Sequence, residues 1–267
     1  MKFVARTGAL SFVFVLPLLI VVASPIRAAA QDQGRPDLRS QSEQIFALAN
    51  QARAQAGIGR LTWDPALAQA ALNHCRRMAL EGPIAHRYGG EPDVATRAAN
   101  AGARFGVIEE NVAIGPSAEG IHQEWMNSPG HRSNLLSPDV DRVGVAVVAS
   151  RGVLYAVADY AKGVPALSPS EVEAQIAGLI RVSGVSIVGN PAQARAACTT
   201  DAGVPRSGEG PQPRFVMRWQ DSDLSHLPQR LVDQLSSGTY RQAAVGSCPA
   251  QGVEGSFTSY RVAVLLY

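Results

Sequence analysis

The chain has little of most things that would mark a specialised class. Of its 267 residues 17% are charged and 6% aromatic, and three are cysteine. Three cysteines are too few for a disulfide-dense scaffold. The 24 basic and 22 acidic residues leave a net charge of +2, with no run of Lys and Arg. A surface so near neutrality offers no field for a phosphate backbone, so no nucleic-acid partner is expected. P-loop, GxGxxG and GxSxG motifs are all missing. That removes the glycine-rich phosphate cradles and the nucleophile elbow. After Ala30 no segment is apolar enough to span a bilayer. No strong internal repeat stands out in the residues.

What is present begins with the compartment. Lys2 and Arg6 precede an apolar stretch from Ala9 to Ala23, and Ala28-Ala29-Ala30 offers small residues for cleavage before Gln31. Residues 1–30 read as a signal peptide rather than an anchor, because the stretch is short, Pro17 interrupts it and Arg27 follows. The expected mature protein is secreted, to the periplasm or the extracellular space, where disulfides form. Cys198 and Cys248 lie in loop-like surroundings of the last third and are the expected pair. Cys75 falls inside an expected helix, as a buried free thiol.

Residues 31–39 read as a flexible lead-in. Ser40-x-x-Glu43 is a capping box that opens a helix with Ile45, Leu48, Ala49 and Ala52 on one face. Asp64-Pro65 starts a second helix ending near Gly82, and a third covers Asp93 to Ala101. Ser117 caps a fourth helix through Asn127, stopped by Pro129 and Gly130. Val143–Ala149 and Val153–Tyr160 read as a hairpin with Gly152 in its turn. Helices followed by an antiparallel hairpin give an α+β class, in an α-β-α layering, rather than a βαβ repeat. Residues 162–168 mark a boundary. Beyond it, a capping box at Ser168–Glu171, a long loop over 202–213, a strand at Phe215–Trp219, a helix carrying Leu224, Leu227, Leu231 and Leu235, and two closing strands form a small α+β domain at 168–267.

Five histidines exist. His74 lies on an apolar helix stripe and reads as a core histidine, and His226 as a surface residue. His122, one turn from Met126, is ambiguous. His86 and His131 differ, since each sits in a Gly- and Pro-bearing loop, GPIAHRYGG and NSPGHRSN. Glu110, in a third loop-like segment, adds a carboxylate. Trp125 reads as a core anchor, and Asn111 as a residue that satisfies nearby backbone groups.

The segments IEENVAIG, WMNSPGHRSNLL, RVGVAVV and YAVADYA, with FALANQARAQAGIGRLTWDPALAQAA ahead of them, resemble the CAP superfamily. That family comprises cysteine-rich secretory proteins, antigen 5 and pathogenesis-related 1 proteins, and this version is similar to its bacterial SCP-like extracellular branch. The resemblance covers roughly 41–162. It implies a CAP-type α-β-α sandwich with a shallow cleft, in which two His and two Glu bind a divalent metal such as zinc in many members. Matched residue by residue, it assigns His86, Glu110 and His131 as metal ligands. Ser128 stands where the second Glu is found in eukaryotic members, and Glu124, one turn earlier, is a candidate to replace it. The cleft is therefore His86, Glu110, Glu124, Ser128 and His131.

Two imidazoles and one carboxylate suit zinc, and such a zinc would activate water. No complete catalytic set is legible, so no catalytic residue is assigned and the enzyme question stays open. Among relatives, sterols and fatty acids are bound. The leading expectation is a secreted, non-catalytic binding module of the cell envelope or extracellular space. Its cleft would take a divalent metal, and nearby grooves would take a lipid or an envelope component. The alternatives are a metal-dependent envelope hydrolase, peptidase-like, and a structural protein acting through its C-terminal domain.

Overall fold

The computed structural model describes residues 37–203, 211–250 and 257–267. The expected signal peptide lies outside the described residues, as do positions 204–210 of the expected long loop. Helix α1 (Leu38–Gln55) starts ahead of the expected capping box. Its cap is Asp37, whose side chain accepts the Arg39 N–H at 3.1 Å. After the short strand β1 (Thr62–Trp63), helix α2 (Pro65–Glu81) follows the sequence signals, with Asp64 accepting from Ala66 and Leu67 and Gly82 closing it. Helix α3 (Val94–Asn100) is capped by Asp93.

Strand β2 (Phe105–Gly115) corrects the loop expected around Glu110, because its polar residues suppress the alternation that marks a strand. Helix α4 (Ala118–Asn127) runs as expected from Ser117. Pro129 and Gly130 do not simply stop it. They occupy the first turn of a further short helix, α5 (Pro129–Leu135), where proline suits the first position. His131 is thus on a helix. Strands β3 (Arg142–Ser150) and β4 (Val153–Gly163) form the hairpin, with Arg151 at φ 51° and Gly152 at φ 79° as its two turn residues.

The sheet order is β1-β3-β4-β2. One face packs on α1 and α4 through Ile45, Ala49, Ile121, Trp125, Val145 and Val147. The other packs on α2 and α3 through Ala71, Cys75, Met78, Ala98 and Phe105. That is a three-layer α-β-α arrangement. Close approach of α2 requires Gly144, since a Cβ there would lie 2.0 Å from the Ala68 nitrogen. Buried Arg53 ties α1 to the chain after α5 by donating to the carbonyls of Gly59, Leu135, Ser137 and Val140.

Further along lie helix α6 (Pro169–Arg181), strand β5 (Ser186–Ile187), helix α7 (Ala192–Cys198), strand β6 (Phe215–Asp221), helix α8 (Gln229–Ser236), and strands β7 (Gln242–Cys248) and β8 (Tyr260–Leu266). Helix α8 is shorter than expected, because Pro228 ends the run that holds Leu224 and Leu227 before a helix can form through it. Helix α7 was not legible as a helix, and it puts Cys198 at a helix end rather than in a loop. Cys198 and Cys248 form the expected disulfide, with Cα atoms 5.9 Å apart, and Cys75 is a buried free cysteine. Among the described residues no helix is long and apolar enough to cross a membrane.

The second sheet runs β5-β7-β8-β6, the order of the first sheet with equivalent strands. In each, a two-residue strand pairs parallel to the third strand of its unit, and the other two pairings are antiparallel. The layers match too. α6 and α8 cover one face and α7 the other, as α1 and α4 do opposite α2. The residues show no repeat, yet the backbone carries one arrangement twice.

Candidate functional site

The polar cluster begins on β2. Glu110 is buried, and its two oxygens are already engaged. Oε1 accepts from His86 Nδ1 at 2.8 Å, and Oε2 takes the Arg97 guanidinium. His86 comes from the segment between α2 and α3, Arg97 from α3. Arg97 also donates to the carbonyls of His86 and Pro92 at 3.2 and 3.0 Å, so it fixes the loop that presents His86. Burial pushes the Glu110 carboxyl up. The bond from His86 and the charges of Arg97 and His74 outweigh it and hold the group below its usual range. The bond to Glu110 raises His86, against burial.

Behind Glu110 sits Asp159. The two residues are direct cross-strand partners of β2 and β4. Asp159 is fully buried, and neither of its oxygens meets a conventional donor. Burial, reinforced by the Glu110 charge, drives its carboxyl well above the ordinary range. Both causes favour its neutral form, facing Glu110 across the two strands.

His74 closes the cluster from α2. Its Nδ1 faces Glu91 Oε1 at 2.8 Å and its Nε2 the Ala85 carbonyl at 2.9 Å, so the ring is fully partnered in the core, as its apolar stripe predicts.

His131 comes from α5. Its buried Nδ1 has no hydrogen-bond partner, and burial followed by the neighbouring His86 lowers its titration, with Glu124 acting in the other direction. Asn111 Nδ2 donates to the His131 carbonyl at 2.9 Å, and Asn134 Nδ2 to Glu110 O and Asn111 Oδ1 at 3.2 and 3.0 Å. These bonds lock α5 onto β2. Trp125, fully buried, donates from Nε1 to Val112 O at 3.2 Å.

Of the expected site residues, the structure brings His86, Glu110 and His131 to one region, with Glu124 exposed beside His131. Ser128 lies between α4 and α5 and makes no side-chain cap bond. Among the described residues no three His, Cys, Asp or Glu side chains converge as a metal site. The cation against Glu110 is the Arg97 guanidinium. In this arrangement the expected ligand set does not fit a resident zinc, because both Glu110 oxygens are occupied.

Sequence reasoning missed Arg97, Glu91 and Asp159. Asp159 carried a usable signal as the one charged residue inside the apolar run VLYAVADYA. A lone carboxyl in a strand interior needs a partner.

Comparison with known proteins identifies a family for part of the chain. Residues 46–160 match the model of the cysteine-rich secretory protein family, CAP. A Bacillus subtilis protein named "Uncharacterized membrane protein YlbC" is 32% identical over 127 residues, 45% of this chain and 35% of the relative. "Uncharacterized protein YkwD" of the same organism is 29% identical over 115 residues, 42% of this chain and 44% of the relative. The match thus spans less than half of either relative. A solved extracellular SCP-domain protein of Bacillus anthracis is 26% identical with a TM-score of 0.44, covering 46% of this chain and 41% of that one. A cysteine-rich secretory protein of Staphylococcus aureus is 20% identical with a TM-score of 0.41, covering 48% and 41%. The chain is a CAP-domain protein, and residues 46–160 are the part that belongs to the cysteine-rich secretory protein family.

Proposed function

We propose that the protein is a secreted, non-catalytic binding module of the cell envelope or extracellular space. Its ligand would be an envelope component, held at the cleft where His86 and His131 meet. One observation carries this reading: the Glu110 carboxylate is consumed internally by His86 and Arg97. A general base must be free to take a proton from substrate, and a metal ligand must be free to coordinate. What remains for a ligand is an exposed imidazole, the His131 ring and a rigid rim. Rigid loops and short helices on a packed sheet suit recognition more than turnover.

The test follows the melting temperature of the mature chain as purified envelope fractions are added, with and without EDTA. A rise that persists in EDTA and vanishes in His86→Ala/His131→Ala supports the reading. Absence of a shift with every fraction, or hydrolysis of a fraction that EDTA abolishes, would overturn it and favour the metal-dependent hydrolase.

A further inference from the structure

A groove of about 750 Å³ between α1 and α2 is lined by four consecutive residues of β3, Val145, Ala146, Val147 and Val148. Successive strand side chains point to opposite faces. Val145 and Val147 do pack into the α1 side of the core, and Ala146 and Val148 into the α2 side. A groove that touches all four therefore runs along the edge of the strand. β1 covers that edge only at Arg142 and Val143. There Thr62 and Asp64 donate to the carbonyls of Asp141 and Val143 at 2.8 and 2.9 Å. By the same alternation the N–H and C=O of Val145 and Val147 face the groove while their neighbours face β4. Among the described residues nothing bonds them on that side.

The second half of the chain shows how this edge is satisfied when it is closed. Matching the two sheets through β1 and β5, Ser247 on β7 holds the place of Val147 on β3. The Ser247 N–H donates to Glu173 Oε1 at 3.0 Å, and Arg195 grips Glu173 with two bonds of 2.6 and 2.7 Å. Glu173 comes from α6 and Arg195 from α7, so an acid–base pair bridges the two helices over the strand edge. Around β3, among the described residues, no side chains bridge the helices, and Val145 and Val147, 3% and 4% exposed, meet the groove only along their edge. Its walls are apolar, with Phe46 and Trp63 edge to face at 5.5 Å. On the rim Arg39 is paired with Glu43 at 3.0 Å, whereas exposed Arg76 of α2 is in no ion pair among the described residues.

We propose that this open edge binds an extended peptide segment bearing an acidic side chain, which adds as a strand beside β3 with its carboxylate at Arg76. Main-chain bonds to Val145 and Val147 supply the pairing, and the apolar walls receive alternate side chains. An acyl chain would fill the walls but leave the two N–H and two C=O groups without partners. A second copy offers no free strand, because its own edge is recessed between the same helices. The site is separate from the His86 cleft and stands or falls apart from it.

The probe is acetyl-Val-Thr-Val-Asp-Val-Thr-amide, titrated into the ¹⁵N-labelled mature chain. At saturation the amide exchange of Val145 and Val147 slows by about tenfold or more. Arg76→Glu weakens binding by about tenfold, and a peptide with Lys in place of Asp recovers it. His86→Ala/His131→Ala leaves both results unchanged. Unprotected amides at Val145 and Val147, or an Arg76→Glu variant that binds as tightly as the parent, would overturn the proposal. So would sodium palmitate shifting Phe46 and Leu72 resonances while the peptide shifts none.

Discussion

The two sheets are one arrangement built with opposite chemistry. Matched through their short parallel strands, Glu110 and Asp159 of the first sheet correspond to Val216 and Leu265 of the second. Both pairs lie on the equivalent face of their sheets, the one covered by α2 and α3 in the first and by α7 in the second. In the first half that interface is a buried pair of acids ringed by Arg97, His86 and His74. In the second it is aliphatic, and Cys198 on α7 is bonded to Cys248 on β7. The difference teaches that the fold does not need its polar centre. Aliphatic packing and a disulfide close the corresponding interface of the second copy, so the buried charges at this position of the first are an added feature, and buried ionic groups are weak evidence for stability in any case.

The comparison breaks most severely if the two chemistries are exchanged. Leu265→Asp puts a carboxyl on the aliphatic side without Arg97 or His86 to receive it. It should cost about 5 kcal/mol by urea unfolding, or prevent folding. Reducing the Cys198–Cys248 bridge, with a sequence separation of 50, should cost about 4 kcal/mol by the same measurement if the unfolded chain gains the corresponding loop entropy. In the first half, Arg97→Ala strands the Glu110 charge and should cost about 3 kcal/mol. An effect under about 1 kcal/mol would mean that water reaches Glu110.

Asp159→Asn sharpens the contrast. If the buried group is already neutral, the amide is nearly isosteric and the loss at pH 7 should stay below about 1 kcal/mol. A large loss would show that Asp159 is ionised. The smallest effect is a titration. The His86 bond to Glu110 gives stability that is complete below the unfolded value of about 6.5 and is lost as pH rises through the higher folded value. His131 is shifted the other way, so its contribution is present above about 6.5 and is lost as pH falls through the lower folded value. NMR titration should place the two ring midpoints on opposite sides of about 6.5. Midpoints on the same side would mean that the two rings are not differently held.

Much of the first half was legible from short-range signals. Asp64-Pro65, Asp93, Ser117 and the Ser168–Glu171 box marked helix starts that the structure retains, because capping is decided within four residues. The hairpin was legible for the same reason. β2 was not, since its polar centre at Glu109, Glu110 and Asn111 is made acceptable only by partners from α3, α5 and β4. α7 was not, since an alanine-rich stretch gains its helicity from packing on Gly246, where a Cβ would lie 2.2 Å from Ala194 C.

By itself the sequence determined the family of residues 46–160, the positions of most helices and the bridging cysteines, and it singled out His86, Glu110 and His131, which the fold brings to one region. Those are properties of local propensity, of cysteine placement and of motif. Tertiary structure alone decided that Glu110 is spoken for, that Asp159 is buried behind it, that one layered arrangement occurs twice, and that the edge of β3 meets a groove where that of β7 is bridged by Glu173 and Arg195. Each depends on groups far apart in the chain meeting in a low-dielectric interior, where a charge or an N–H must find a partner or remain without one.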